Sequence, residues 1–426
     1  MTGPPGPLEY GPLVGAAYLG SSVQAFRDRP RSLSGLLAAA ARRWPQRAAV
    51  VAPAGSRTFA ELERAADAAA DAEVLLQDED DPVVALPTSG TTGVPKTTLV
   101  TSRSLIHAAL AYSVLLGLGT DRRTGEASCE RTLVVLPLHS IGPLSAQTTA
   151  MALVGRTCVL PADTSPAAAR RPLAEHAVTH LDAVPAWLSL YARLPDRAPL
   201  PALRTIIYGG APMPVGTAAA LARDHSGSAL YDVRGLSETH GHATALRLDP
   251  ATPGSVGRAV AGVEVRAGGA GPGGVGELEV RGANVSPGYL DDPGTSAAVL
   301  RDGWLRTGDV GAVAADGSVR ILGRAKDVIL RGGASVFSVE VEQVLSGAPG
   351  VAEAAVYAVA DPIGGEAVAA AVVLRSGAVL DAGELRRLVR AEVGGHAVPR
   401  HVAAVEALPR NLTGKIDKRR LREERP

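Results

Sequence analysis

Aromatic side chains are scarce in this chain, with 3 Phe, 3 Trp and 8 Tyr among 426 residues. Ring packing therefore cannot build the interior, and the core falls to Val, Leu, Ala and Ile. Cysteine is rarer still: only Cys129 and Cys158 occur. Two residues without metal-ligand spacing exclude a disulfide framework and a thiolate metal centre, which fits a reducing compartment and a structural role for both. Charge of one sign is also missing, because Lys+Arg and Asp+Glu each total 43. Nothing in that balance draws the chain to nucleic acid or to an anionic membrane, so its partners are expected to be small molecules or proteins. Uninterrupted apolar runs are absent too, since Arg, Asp or Glu breaks each Ala-rich stretch, and no membrane span is expected. Residues 1–30 carry prolines, glycines and an acidic residue in place of the basic region of an export signal. A cytoplasmic location is the expectation.

What the chain does have is a loop suited to anions. Thr88-Ser89-Gly90-Thr91-Thr92-Gly93-Val94-Pro95-Lys96 follows the apolar run Val83-Val84-Ala85-Leu86, which reads as a buried strand. The loop thus presents backbone N–H groups, hydroxyls and one ammonium together. The spacing is not that of a P-loop, and such a turn alone is often just solvated. Further segments follow in order: Tyr208-Gly209-Gly210-Ala211-Pro212, Gly235-Leu236-Ser237-Glu238, Gly303-Trp304-Leu305-Arg306-Thr307-Gly308-Asp309, Gly323-Arg324-Ala325-Lys326-Asp327 with Gly332-Gly333, and Pro409-Arg410-Asn411-Leu412-Thr413-Gly414-Lys415-Ile416-Asp417. In this order the set closely resembles the adenylate-forming superfamily of acyl-CoA synthetases, nonribosomal adenylation domains and luciferases. The resemblance extends over about Leu36 to Leu421.

The pattern along the chain agrees with an α/β fold. Leu36 to Arg43 and Phe59 to Ala72 read as Ala-rich amphipathic helices flanking a strand at Ala48 to Val51. Buried strands at Leu133 to Leu136 and Arg204 to Tyr208 alternate with helices at Ser104 to Leu116 and Val215 to His225, as in a layered sheet. Period-two alternation from Gly254 to Leu322 predicts a small antiparallel barrel or sheet. Beyond Lys326, a helix at Val339 to Leu345, strands at Ala354 to Val359 and Val368 to Leu374, and a helix opened by Asp381-Ala382-Gly383-Glu384 predict a compact α+β unit. The expected organisation is a partly disordered N-terminal arm over 1–34, a shortened adenylate-forming domain over 35–325, and a small mobile lid domain over 326–426.

The resemblance implies a reaction in two halves. A carboxylate attacks the α-phosphate of ATP to give an acyl-adenylate and pyrophosphate, and a thiol of coenzyme A or carrier-protein phosphopantetheine then displaces AMP. The implied roles are as follows. Thr88, Ser89, Gly90, Thr91, Thr92, Gly93 and Lys96 hold the departing phosphates. Glu238 carries Mg²⁺ beside the Ser237 hydroxyl. Gly209, Gly210 and Ala211 let adenine and acyl group approach the backbone, with Gly235 and His139 at the substrate pocket. Asp309 meets the ribose hydroxyls with Arg324 nearby, Lys415 bridges substrate carboxylate and α-phosphate, Lys326 is the hinge, and Gly332 and Gly333 give room for a pantetheine arm.

Three departures stand out. Arg234 occupies the position of the aromatic that packs on adenine in the family, a task a guanidinium also suits. The aromatic that usually precedes the histidine matched by His139 is absent, and His139 reads equally as a structural residue. Between the helix at Phe59 to Ala72 and the strand at Val83, a long stretch of family sheet is missing. Its covering role is left to the N-terminal arm or to a partner subunit, so a homo-oligomer is expected as one solution. His240 and His242, close to Glu238, read as ordinary loop histidines because no closed metal site surrounds them. The competing functions are a non-catalytic homologue serving as a binding or scaffold protein, and a ligase with an amine or other non-thiol acceptor.

Overall fold

The structure, a computed structural model, describes residues 10–69, 78–88, 96–119, 129–195, 198–211, 213–248, 256–271, 274–362, 364–410 and 416–424. They form two compact units: residues 1–266, 279–307 and 314–319 make the first, and residues 267–278, 308–313 and 320–426 the second.

A nine-stranded sheet dominates the first unit. Its parallel run pairs Ala48–Ala52, Thr157–Val159, Arg131–Val134, His180–Ala183, Thr205–Gly209 and Ala229–Arg234 in that spatial order. Most of their residues are buried, which is why the segments read as continuous apolar runs and not as alternation. Gly55–Thr58 closes one edge antiparallel, and Thr244–Arg247 with Arg258–Ala259 extends the other. The helix Ser102–Leu116 is buried along most of its length, and begins with the Thr101 side chain accepting from the Ser104 N–H at 3.1 Å. That bond satisfies a donor that the first helical turn leaves unpaired. The expected layered α/β sheet is therefore present, and all its parallel strands end at one carboxyl edge, where α/β sheets bind ligands.

Within the N-terminal arm, Leu13–Tyr18 and Ser21–Phe26 pair as an antiparallel hairpin. Tyr18, Val23, Ala25 and Phe26 are buried in it. The Tyr18 hydroxyl donates to the Val285 carbonyl at 2.7 Å, and buried Arg29 donates to Glu79 at 2.8 Å. These long-range attachments hold a segment whose own pattern is too short and too rich in Gly and Ser to announce itself.

Val263–Gly268, Val275–Gly282, Leu300–Arg301, Trp304–Val313 and Val319–Arg324 form a five-stranded sheet where the sequence predicts a barrel or sheet. The second unit is α+β. Val351–Asp361 and Gly365–Leu374 pair antiparallel, with Val328–Arg331 and Ala334–Phe337 beyond, and His401–Ala404 lies parallel to Gly365–Leu374. Ser338–Gly347 and Ala382–Glu392 pack Val341, Leu345, Leu385 and Val389 into its core. The predicted cap is present: Asp381 Oδ1 accepts from the Glu384 N–H at 2.8 Å.

Candidate active site

Thr88 and Lys96 face each other at one end of an antiparallel strand pair. Pro82–Pro87 pairs antiparallel with Thr97–Thr101, and the Thr88 N–H donates to the Lys96 carbonyl at 2.6 Å. Ser89, Gly90, Thr91, Thr92 and Gly93 lie outside the described residues, as does Lys415. The strand pair is joined by the segment around Tyr289, whose neighbour Leu290 donates its N–H to the Thr97 carbonyl at 2.8 Å. Lys96 Nζ consequently lies 5.2 Å from the centroid of the Tyr289 ring. The Tyr289 hydroxyl in turn donates to Glu238 Oε1 at 2.6 Å. Burial and the Glu238 charge raise the Tyr289 phenol above its ordinary range, so it remains protonated as that donor.

One ammonium and one carboxylate, far apart in sequence, are thus gathered around a single phenol. Tyr289 was not among the residues the sequence pointed to; only its place in Gly288-Tyr289 beside a strand end hinted at it. Glu238 sits in the 3-10 turn Ser237–Thr239 with Ser237 beside it. This donor set suits a hard cation such as magnesium. Among the described residues, no group of three or more His, Cys, Asp or Glu is arranged to hold a metal. A magnesium ion here would therefore take most of its remaining ligands from phosphate and water.

Two glycines at the carboxyl edge of the sheet are sterically required. A Cβ on Gly209 would lie 2.4 Å from the Val233 carbonyl oxygen, and one on Gly235 only 1.8 Å from that of Gly241. Gly210 has φ +81° and is exposed, and half-buried Ala211 follows it. His139 follows the strand Arg131–Val134, separated from Thr205–Gly209 by His180–Ala183 in the same sheet, and is exposed. Gly209, Gly235 and His139 thus all occupy the edge where parallel strands end. Arg234 is the last residue of its strand, and its Nη2 donates to Asp232 Oδ2 at 2.9 Å. Burial raises the Asp232 carboxyl, against the lowering pull of Arg234. The guanidinium is therefore tethered, with that bond added to any part it takes in holding a purine.

His240 is buried with φ +49°, and burial lowers its imidazole to about 4. It is a neutral structural residue at the end of the Ser237–Thr239 turn. An open cavity of about 340 Å³, lined by Val51, Leu160, Arg171 and His176 among others, lies beside different strands from those carrying Glu238 and Gly209.

In the second unit, Asp309 and Arg324 come together, with Arg324 Nε 3.0 Å from Asp309 Oδ1. Lys326 is exposed in the 3-10 turn Ala325–Asp327, its ammonium shifted down mainly by desolvation. Gly332 and Gly333 join Val328–Arg331 to Ala334–Phe337, with φ of +55° and +85°. Two consecutive left-handed residues are what a two-residue hairpin turn demands, so this pair has a structural reason of its own.

The chain matches the family profile described as AMP-binding enzyme over residues 71–290, and that of the AMP-binding enzyme C-terminal domain over residues 340–415. A feruloyl-CoA synthase from an Amycolatopsis species is 36% identical over 373 residues, covering 85% of this chain and 73% of its own. An indoleacetate–CoA ligase from Aromatoleum aromaticum is 34% identical over 351 residues, covering 80% and 67%. Among solved structures, the amide bond synthetase McbA from Marinactinospora thermotolerans matches with a TM-score of 0.79 and 26% identity, over 92% of this chain and 99% of that one. The ordered motifs, the layered fold and these matches place the chain in the adenylate-forming AMP-binding enzyme family, as an ATP-dependent, AMP-forming acid:thiol ligase.

Proposed function

We propose that the chain activates an aryl carboxylic acid and passes the acyl group to coenzyme A, with its own residues in the following roles. The gathering of Lys96 and Glu238 around Tyr289 carries the reading, because phosphoryl chemistry needs a cation for the departing phosphates and a carboxylate for their metal. Lys96 and the hydroxyls and N–H groups of Thr88 to Gly93 neutralise the charge that pyrophosphate gains on leaving. Magnesium, when bound at Glu238, supplies charge neutralisation along the phosphates. Gly209, Gly210, Ala211 and Gly235 leave space for the adenylate, Ser237 hydrogen-bonds phosphate, and His139 borders the acid. Arg234 lies against the purine, Asp309 and Arg324 engage the ribose, and Lys415 brings an ammonium to the carboxylate and α-phosphate as they react.

The aryl preference is supported by relatives whose names specify feruloyl and indoleacetate as the acids activated. Lys326 serves as hinge between a domain over 35–325 and a lid over 326–426, and Gly332 and Gly333 flank the pantetheine arm. A cytoplasmic location, a homo-oligomeric state and service to an acyl carrier protein belong to the same proposal. No helix of the described residues is long and apolar enough to cross a membrane.

The test is product analysis. Protein, ATP, Mg²⁺ and an aryl-acid mixture are incubated with coenzyme A, a phosphopantetheinylated carrier, or a primary amine. Mass detection of acyl-CoA supports the reading. Amide formation with no thioester would instead favour the amine acceptor, which the similarity to an amide bond synthetase brings into the comparison.

A further inference from the structure

Lys96 owes its place to a strand pair that is braced from the far end. Pro82–Pro87 and Thr97–Thr101 form a two-stranded sheet, with Thr88 and Lys96 just beyond one end and Pro82 paired with Thr101 at the other. Two strands alone are marginal in water. Among the described residues Pro82–Pro87 pairs with no second strand, and the long stretch of family sheet that would precede it is missing from this chain. Support has to come from elsewhere.

It comes from a desolvated ion cluster. Glu79 and Asp80 lead into Pro82, and Arg103 follows Thr101, so both segments that leave the strand pair carry charge at the same end. Arg103 Nη2 lies 2.8 Å from Glu79 Oε1 and donates to Asp80 Oδ2 at 2.9 Å, while the Arg103 N–H donates to the Glu79 carbonyl at 2.9 Å. Arg29 joins from the N-terminal hairpin. Its Nη2 donates to both Glu79 oxygens, at 2.8 and 2.9 Å, and its Nη1 donates to the Phe26 carbonyl at 2.9 Å. Exposed Arg31 adds a third cation at Glu79. The side chains of Arg29, Glu79 and Arg103 are only 2%, 9% and 9% exposed, so solvent does not screen these bonds as it screens surface pairs. The same hairpin grips the other neighbour of Thr97–Thr101. Tyr18 sets its ring centroid 5.2 Å from the Arg103 guanidinium and donates its hydroxyl to the Val285 carbonyl, shortly before Tyr289 in the chain. That segment is bonded to the strand through the Leu99 N–H, which donates to the Gly288 carbonyl at 2.9 Å.

We propose that Glu79, held by Arg29 and Arg103, is a positioning residue for adenylation: it fixes the far end of the strand pair and thereby the place of the Lys96 ammonium at the β- and γ-phosphates of ATP. The N-terminal hairpin does in this chain what neighbouring strands of a larger sheet would do, and phosphate binding depends on it through the strand pair. The inference rests on the reading that Lys96 binds those phosphates. Removing the Glu79 charge leaves its guanidinium partners around a neutral amide and releases the strand pair at this end. A displacement of about 1 Å at Lys96 then weakens phosphate binding while leaving the groups that meet adenine and ribose in place.

Calorimetric titration of the full chain with Mg·ATP and with AMP tests this for wild type, Glu79→Gln, Lys96→Ala and the double variant. AMP lacks the β- and γ-phosphates, so it reports the rest of the site and shows that a variant folds. Glu79→Gln is expected to weaken Mg·ATP binding about tenfold with AMP affinity unchanged, a split that a general loosening of the fold would not give. Because Glu79 acts through Lys96, the double variant should lose no more Mg·ATP affinity than Lys96→Ala alone. Arg103→Lys keeps the charge and loses the planar fork, so it should show the same split more weakly, and it carries the test should Glu79→Gln not fold. Equal losses for both nucleotides, an unchanged Mg·ATP affinity in a folded variant, or additive losses in the double variant overturn the proposal alone. A Lys96→Ala protein that binds Mg·ATP as wild type does overturns the phosphate reading of Lys96 and this proposal with it.

Discussion

Tyr289 donates a 2.6 Å hydrogen bond to Glu238 Oε1 while its ring carries Lys96 Nζ 5.2 Å from the centroid. A neutral phenol thus contacts both the ammonium and the carboxylate. Tyr289→Phe keeps the ring beneath Lys96 and removes only the donor. A hydrogen bond to a charged group contributes roughly 1.5–3 kcal/mol, so KM for Mg·ATP should rise about tenfold with little change in Tm. Tyr289→Ala should cost more, losing the ring as well. Exchange rates titrated against Mg·ATP provide the check, and an unaltered KM in Tyr289→Phe would remove Tyr289 from the site.

Asp309 and Arg324 form a part-exposed ion pair at 3.0 Å. Pairs of that kind contribute at most about 1 kcal/mol to stability. If their task is to hold nucleotide, Asp309→Ala should leave Tm nearly unchanged while weakening ATP binding about tenfold. Calorimetric titration with ATP separates the two effects. A large fall in Tm with unaltered ATP affinity would make the pair structural.

In the second unit, Lys418 Nζ lies 2.7 Å from Glu342 Oε1 and 2.8 Å from Ser338 Oγ. Burial raises the Glu342 carboxyl, while Lys418 pulls it back down. Lys418→Ala would leave that carboxylate buried without its cation, at a cost of roughly 3 kcal/mol. A carboxyl raised in the folded state favours folding below its ordinary range, and that contribution is lost as pH rises. The variant's deficit in urea unfolding should therefore be larger at pH 8 than at pH 5. Equal deficits would show that Glu342 does not ionise there.

Burial lowers His107 and His240 to about 4. Both rings take up protons more readily in the unfolded chain, near the ordinary imidazole range. Stability is then fully present above about pH 6.5 and falls as pH drops toward 4, by roughly 3 kcal/mol for each ring at the acid end. Denaturant unfolding at pH 7, 5.5 and 4.5 measures this slope. A flat profile would mean that both rings gain protons without opening the fold.

Much of this architecture was legible because its signals are local. Leu133 and Val134, and Ile206 and Ile207, announce buried parallel strands by unbroken apolar runs, and Asp381 announces its helix by the Glu384 three residues on. The glycines at 209 and 235 sit in motifs whose close backbone contacts the structure displays. What escaped depends on contacts between distant segments. Tyr289 reaches Glu238 across 51 residues, and the hairpin of Leu13–Tyr18 and Ser21–Phe26 owes its order to Val285 and Glu79. His242 lies outside regular structure, as its sequence context predicts, but nothing near it in sequence predicts Tyr112 against its ring. Gly332 and Gly333 show the opposite hazard, since a motif glycine pair also satisfies a hairpin turn.

ATP–pyrophosphate exchange across a panel of aryl, acyl and amino acids, with a no-acid control and with Lys96→Ala and Lys415→Ala beside wild type, tests the central claim most directly. The account predicts exchange that requires an acid, is strongest with an aryl acid, and falls by about 100-fold or more in each lysine variant. Exchange at the wild-type rate in both variants, or none with any acid from folded protein that binds ATP, would contradict it.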